Sequence, residues 1–188
     1  MKKYIHSLFF ILSFNLLISQ TPTFSVYYLD AVPGTENVIG EMFDQFWGDV
    51  EFKSGGAYLE RMDRGNVDGT HRFVRFGELE NFGLVTSKTS EQWQAHRDRL
   101  DPYIIKRGPK YSGRIMGSND VNPASKPYIQ IHDLEVKDPA KWSAAMAKLI
   151  NDTNSNSNGN MIVYGSYDIG SPLGASHWVA LGSDNLQS

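Results

Sequence analysis

The chain has 188 residues, a formal net charge of −3 and no cysteine. A chain of this length can bury an ordinary apolar core without covalent links. The absence of cysteine excludes disulfides, thiolate metal sites, a cysteine nucleophile and a lipid-modified N-terminal cysteine. Lysine and arginine form no basic stripe along the chain, and nucleic acid is therefore not an expected partner.

The N-terminus has the pattern of a secretory signal peptide. A short basic start, Met1-Lys2-Lys3, precedes a mainly apolar stretch over residues 8–18 and the small residue Ser19. The apolar stretch is too short to span a bilayer. Cleavage near Ser19 would remove two lysines and no acidic residue, which moves the formal charge from −3 to −5. We therefore expect residues 1–19 to be a signal peptide and the mature protein to be secreted or periplasmic, without membrane attachment; a retained interfacial anchor is the alternative.

The first half of the chain predicts the order β-α-β-β-α-β over residues 24–118. Strand-forming runs and helical stripes alternate, and a turn signal or a cap separates them. The second helix begins with a capping box at Thr89 and is interrupted near Pro102. The predicted elements are a strand over 24–29, a helix over 38–46, strands over 57–62 and 71–76, a helix over 89–104 and a strand over 111–116.

The second half, residues 126–188, repeats this order but stops early. After a linker at 122–125 it predicts a strand over 128–136, a helix from Pro139 that Asp138 caps, a polar loop over 151–160 and strands over 161–167 and 177–181. Residues 183–186 resemble the start of a helix. By comparison with the first half, a helix and a strand are missing, so the second unit is expected to be truncated.

One local pattern occurs in both halves. The segments 63–74 and 168–179 both read Asp-x-Gly, a short link, Gly, one or two small residues and His, and then a strand. Such self-similarity indicates two related units.

Two segments carry a resemblance to a known superfamily: Leu134-Glu135-Val136-Lys137-Asp138-Pro139-Ala140-Lys141-Trp142, and Tyr167-Asp168 through Gly174-Ala175-Ser176-His177-Trp178-Val179. With the β-α-β-β-α-β order, they resemble the dimeric α/β-barrel superfamily, which is ferredoxin-like and antibiotic-biosynthesis-monooxygenase-like, and particularly its secreted tandem-repeat members. The resemblance implies an α+β protein in which two ferredoxin-like units close a barrel within one chain. It leaves the activity open, because the superfamily includes cofactor-free oxygenases, haem-degrading enzymes, decarboxylases, dismutases and proteins without demonstrated catalysis.

Strand alternation predicts which side chains face the interior of this barrel. We expect Val74, Phe76, Ile129 and Ile131 to pack on helices. The residues expected to face inward are His71, Phe73, Arg75, Tyr128, Gln130, His132, Leu134, His177, Val179 and Leu181.

This prediction leads to three functional hypotheses. The first is a protein that binds a small, partly apolar ligand through Phe73, Tyr128, Gln130, His132 and Val179, without a cofactor. The second is a cofactor-independent monooxygenase-like enzyme in which His71 or His177 is the base and Arg75 holds the resulting anion. The third is a structural subunit of a surface assembly, in which the protein self-associates.

The histidines have two further interpretations. His71, His132 and His177 could together bind zinc, copper or iron, although they show no HxH or HxxxH spacing. Alternatively, each histidine begins a strand and braces the preceding turn by a hydrogen bond, which the adjoining Asp-x-Gly turns favour. We favour the bracing role and predict no metal site.

Overall fold

The computed structural model describes residues 21–64, 69–119, 121–122, 125–154 and 159–185. Within these ranges the protein has seven strands and three α-helices. The elements are β1 Pro22–Ala31, α1 Glu36–Trp47, β2 Gly56–Arg61, β3 His71–Glu78, α2 Ser90–Leu100, β4 Ile104–Ser118, β5 Tyr128–Leu134, α3 Pro139–Asn154, β6 Met161–Ile169 and β7 His177–Ser183.

All seven strands belong to one antiparallel sheet with the order β2-β3-β1-β4-β6-β7-β5. The strands of the first half occupy one side of this sheet, and those of the second half occupy the other. The β4–β6 ladder joins them, with Arg114 opposite Ser166 near its centre. The predicted α+β class is confirmed, and the architecture is compatible with a ferredoxin-like arrangement.

Most predicted elements form, with differences at their ends. Strand β4 begins at Ile104, seven residues before the predicted start, because Pro102 ends the helical segment in a 3₁₀ turn and the chain then pairs with the end of β1. Helix α3 continues to Asn154, so part of the predicted polar loop is helical. Ser183 ends β7, and no helix begins at 183–185; Leu186 lies outside the described residues.

Helices α1 and α3 cover one face of the sheet, which we call the helix-covered face, and α2 packs against α1. In the first half, Trp47 of α1 contacts Phe73 of β3 with ring centroids 5.1 Å apart. In the second half, Trp142 of α3 contacts Tyr164 of β6 at 5.3 Å. Burial of these large rings is the main stabilisation that an amphipathic helix gains from a sheet.

The opposite face, which we call the concave face, holds a second core. Its buried members are Phe24, Val26, Tyr28, Val74 and Tyr111. The ring centroids of Phe24 in β1 and Trp178 in β7 are 5.1 Å apart, although three strand spacings separate these strands, about 14 Å along a sheet. The sheet therefore curls, and side chains from its two halves meet across the concave face.

The predicted facing of the strands is wrong. Phe73 packs on α1, and the ring of His177 lies 4.7 Å from that of Trp142 of α3. Since directly opposed residues share a face, the remaining residues expected to face inward are also on the helix-covered face. Val74 and Phe76, expected on the helices, belong to the concave core.

The physical reason is that both faces of these strands carry apolar residues. Alternation shows which residues share a face but not which face the helices cover, and an error of one residue moves the whole set to the other side.

Candidate functional site

The concave face contains a buried ion pair at the end of the sheet formed by β2 and β3. Nε of Arg72 in β3 donates to Oε2 of Glu60, which lies directly opposite in β2. The side chains of Arg72 and Glu60 are only 10% and 11% exposed. Burial opposes the charge of Arg72, but the adjacent Glu60 carboxylate outweighs it and raises the pKa of the guanidinium. The Arg72 guanidinium therefore remains charged, and the desolvation cost of such a pair is recovered only through good partners.

Tyrosines extend this polar centre across the curled sheet. Tyr28 lies opposite Arg72 in β1 and interacts with its guanidinium. The Tyr167 hydroxyl donates to Oδ1 of Asp133 in the edge strand β5 at 2.6 Å. Burial raises the pKa of Tyr167 and the bond to Asp133 raises it further; burial also raises the pKa of Tyr28. Both phenols are therefore neutral at physiological pH and can donate hydrogen bonds.

Two buried polar atoms on this face lack a partner among the described residues. They are Oε1 of Glu60, an acceptor, and Nε1 of Trp178, a donor. The ring of Trp178 lies over Gly165, where an added Cβ would come within 2.7 Å of it. A buried polar atom without a partner costs roughly 1–3 kcal/mol, so a ligand or water that completes these bonds would be stabilised there.

Together, these residues form what we call the concave site: Tyr28, Glu60, Arg72, Asp133, Tyr167 and Trp178. The aromatic rings of Phe24 and Tyr111 lie beside Tyr167, with centroids 5.9 and 5.8 Å from its ring. The site thus combines an acceptor, a donor and an apolar surround, which are the usual components of a small-molecule site.

Sequence reasoning did not find these six residues. Glu60 and Arg72 are opposite charges on the two strands of a hairpin, and the hairpin register alone would have paired them. The contact of Tyr167 with Asp133 had no comparable signal, because it joins two strands, β6 and β5, that are not paired with each other but lie on either side of β7.

The histidines predicted as bases each contact the hydroxyl of the preceding residue. Thr70 Oγ1 lies 3.0 Å from Nδ1 of His71 and accepts a hydrogen bond from the amide of Ala31 at 2.8 Å. In the second half, Ser176 Oγ lies 2.9 Å from Nδ1 of His177 and accepts from the amide of Val136 at 3.0 Å.

Each hydroxyl also contacts the carbonyl of the residue that pairs with the histidine, Leu29 in one half and Leu134 in the other, at 3.4 Å. His71 and His177 each begin a strand, as predicted. The hydrogen-bond partner that the structure gives each imidazole is the hydroxyl of the preceding residue and not a group across the turn; residues 65–68 of the first turn lie outside the described residues. Both imidazoles are buried, and burial lowers the pKa of each. They are therefore neutral at physiological pH.

The structure does not bring the predicted catalytic residues together. His71 lies in β3 and His177 in β7, four strand spacings apart, which is about 19 Å along the sheet. Arg75 lies between the rings of Phe82 and Trp47, its guanidinium carbon 4.7 and 5.9 Å from their centroids. Burial lowers its pKa.

The residues predicted to bind ligand are also dispersed. Phe73 is covered by α1, and Val179 packs in the cluster under α3. Tyr128, Gln130 and His132 are exposed in the edge strand β5. Over the described ranges, no three histidine, aspartate or glutamate side chains are grouped so that they could hold a metal ion, and no helix is long and apolar enough to cross a membrane.

Comparisons with known proteins show the fold. No family model matches the chain, and no curated protein matches it. Two solved structures of candidate monooxygenases share its architecture. The protein from Lactobacillus acidophilus NCFM has 12% sequence identity and a TM-score of 0.54, with 89% of this chain and 79% of that chain covered. The protein from Fusobacterium nucleatum subsp. nucleatum ATCC 25586 has 13% identity and a TM-score of 0.57, with 89% and 77% covered. At such identities the likeness establishes the α+β fold and not an activity.

Proposed function

We propose that the protein binds a small, partly apolar and uncharged molecule at the concave site. The observation that supports this proposal is the pair of buried polar atoms without partners, Glu60 Oε1 and Trp178 Nε1, on a face otherwise lined by aromatic rings. A ligand with a hydroxyl donor, a carbonyl acceptor and an apolar body would supply both missing bonds.

The charges of the site favour an uncharged ligand. Arg72 and Glu60 already neutralise each other. A ligand ion would enter a buried region without a counter-charge, which is strongly unfavourable. Binding should therefore depend on hydrogen bonds and apolar contact and vary little with salt.

The first test uses 2-naphthol as a probe with a hydroxyl and an apolar body. Native mass spectrometry of the protein recovered from its host would show any retained ligand, and tryptophan fluorescence would measure naphthol binding. Trp178→Phe removes the Nε1 donor but keeps an aromatic ring, so we expect it to weaken binding about fivefold or more. Trp142→Phe, on the helix-covered face, is the matched control and should leave binding unchanged. Equal affinities for both variants would refute the concave site as the binding site.

A second candidate function is a cofactor-independent monooxygenase-like reaction, which the fold shared with two candidate monooxygenases supports. Such a reaction needs a base that takes the proton from a phenol or enol, whose anion then reacts with O₂. His71 and His177, the predicted bases, are buried on the helix-covered face. We propose Asp133, which accepts from Tyr167 and is exposed, as the base at the concave site.

Oxygen uptake with 2-naphthol as substrate tests this second function. Asp133→Asn should abolish uptake because an amide cannot accept the proton, whereas His71→Asn should retain it in the folded protein. If His71→Asn lost oxygen uptake and Asp133→Asn retained it, His71 and not Asp133 would be the base. Absence of uptake in the unaltered protein would leave ligand binding without catalysis.

We further propose that the two halves are related tandem units that act outside the cytoplasm after loss of residues 1–19. The equivalent contacts of Thr70 with His71 and of Ser176 with His177 support the relation between the halves. The basic and apolar start of the chain supports export.

A further inference from the structure

A groove lies between α1 and α2, lined by residues other than those of the concave site. Its volume is about 220 Å³. The lining residues are Gln45, Phe46, Lys88, Gln92, Ala95, His96 and Arg99. No carboxylate is among them.

The basic side chains of the groove are held in place. Nη2 of Arg99 donates to Oε1 of Gln45 at 3.0 Å, which ties α2 to α1. Nζ of Lys88 lies 4.5 Å from the centroid of the Phe46 ring. The imidazole of His96 stacks on Phe46 with centroids 3.8 Å apart and an interplanar angle of 9°. These contacts lower the conformational entropy that the two cations would lose when a ligand binds.

The groove has a positive electrostatic environment. Burial, followed by the charges of Arg99, Lys88 and Arg97, lowers the pKa of His96 to about 4. The imidazole is therefore neutral at pH 7, and the groups that act on it are all cations. A cluster of cations without a carboxylate attracts an anion, and hydrogen bonds between ionised groups are the strongest that such a groove can offer.

We propose that this groove binds a small oxyanion, a carboxylate or a phosphate, between Lys88 and Arg99, with the side-chain amides of Gln45 and Gln92 at its margins. Arginine suits this role because its planar guanidinium can donate two parallel hydrogen bonds to a carboxylate or phosphate. The proposal is independent of the concave site, which lies on the other face of the sheet and favours an uncharged molecule.

The test is a titration of the full mature chain at pH 7, monitored by backbone amide NMR signals. Inorganic phosphate and acetate are the two probes, with sodium chloride holding the ionic strength at about 0.15 M. Saturable shifts at the amides of Gln92, Ala95 and His96 are expected with at least one probe. Saturation by phosphate alone would indicate a phosphate ligand, and saturation by acetate alone a carboxylate.

Charge-neutral variants decide whether the groove itself binds the anion. Arg99→Gln should weaken binding about tenfold, because it removes a charged donor from the site. Arg97→Gln removes the same charge two residues away, from a side chain that bonds to Gln94 and does not line the groove. It should change the affinity by no more than about twofold. Lys88→Gln is a second groove variant, should Arg99→Gln disturb the contact with Gln45.

Shifts that rise linearly with either anion would overturn the proposal. Equal weakening by Arg97→Gln and Arg99→Gln would also overturn it, because it would show attraction to the overall charge of α2 and no defined site. Trp178→Phe should leave the anion titration unchanged, which separates this result from that of the concave site.

Discussion

At the scale of single residues, buried polar groups differ in whether they have a hydrogen-bond partner. On the helix-covered face, a neighbouring hydroxyl meets each buried histidine, and the same hydroxyl accepts from a backbone amide. On the concave face, Glu60 and Trp178 each keep one polar atom without a partner in the described structure. Nε of Arg75, on the helix-covered face, also lacks a partner among the described residues and lies beside the rings of Phe82 and Trp47. Glu60 and Trp178 lie on the face that holds the other residues of the concave site, and they are therefore the candidates for binding.

The buried histidines predict a pH dependence of stability. The folded-state pKa values of His71 and His177 lie below the value in the unfolded chain, about 6.5. Below pH 6.5 the unfolded chain therefore binds more protons, so the histidine contribution to stability is complete above pH 6.5 and is lost as the pH falls. Urea denaturation should show that the free energy of unfolding of the unaltered protein falls between pH 8 and pH 5. In the double variant His71→Asn with His177→Asn this fall should be smaller.

Above pH 7 the unaltered protein and the double variant should differ by a constant free energy of unfolding, because the imidazoles are neutral in both folded and unfolded chains. If the plots of the free energy of unfolding against pH stayed parallel for the two proteins down to pH 5, the pKa values of these histidines would not be lowered by folding. His96, with a pKa lowered to about 4, adds the same slope to both proteins and cancels from the comparison.

At the scale of elements, α2 shows how a largely polar helix is held. None of its residues is buried, so packing contributes less to it than to α1. Its capping box forms as predicted: the Thr89 hydroxyl accepts from the amide of Gln92 at 3.3 Å, and Gln92 Oε1 accepts from the amide of Thr89 at 2.8 Å. Two amides at the start of the helix are thereby satisfied.

The capping box predicts the effect of Thr89→Ala. This substitution removes the acceptor for the Gln92 amide and should lower the free energy of unfolding by about 1 kcal/mol, as measured by urea denaturation. Ser90→Ala, one residue later, is the matched control and should change it by no more than about 0.5 kcal/mol. An equal loss in both variants would mean that the hydroxyl at position 89 has no special role.

At the scale of the whole molecule, one sheet and one concave core join the two halves. The β4–β6 ladder continues the backbone hydrogen bonding, and Phe24 contacts both Tyr167 and Trp178 of the second half. Neither half can therefore unfold without exposing apolar surface of the other.

This continuity predicts a single cooperative unfolding transition. Trp47 and Trp93 lie in the first half, and Trp142 and Trp178 lie in the second. A variant with Phe at 47 and 93 reports the second half by fluorescence, and a variant with Phe at 142 and 178 reports the first. In each variant, fluorescence and far-ultraviolet circular dichroism should give coincident midpoints. Separate midpoints would show that the halves fold independently.

The sequence by itself determined the elements and several of their local contacts. Periodicity, the capping box at Thr89 and the interruption near Pro102 depend on neighbours within a few residues, and the structure forms them close to the predicted positions. The start of a strand at His71 and at His177 was accessible for the same reason.

Only the tertiary structure decided which face of the sheet each side chain occupies and which residues form a site. Phe73 and Val74 are both apolar, and the position of α1 alone places Phe73 on the helix-covered face and leaves Val74 in the concave core. The contact of Phe24 with Trp178 likewise requires the curl of the sheet, and that of Tyr167 with Asp133 requires that β7 lie between β6 and β5. Facing and curl depend on contacts between residues far apart in the chain, which the period of a single strand does not record.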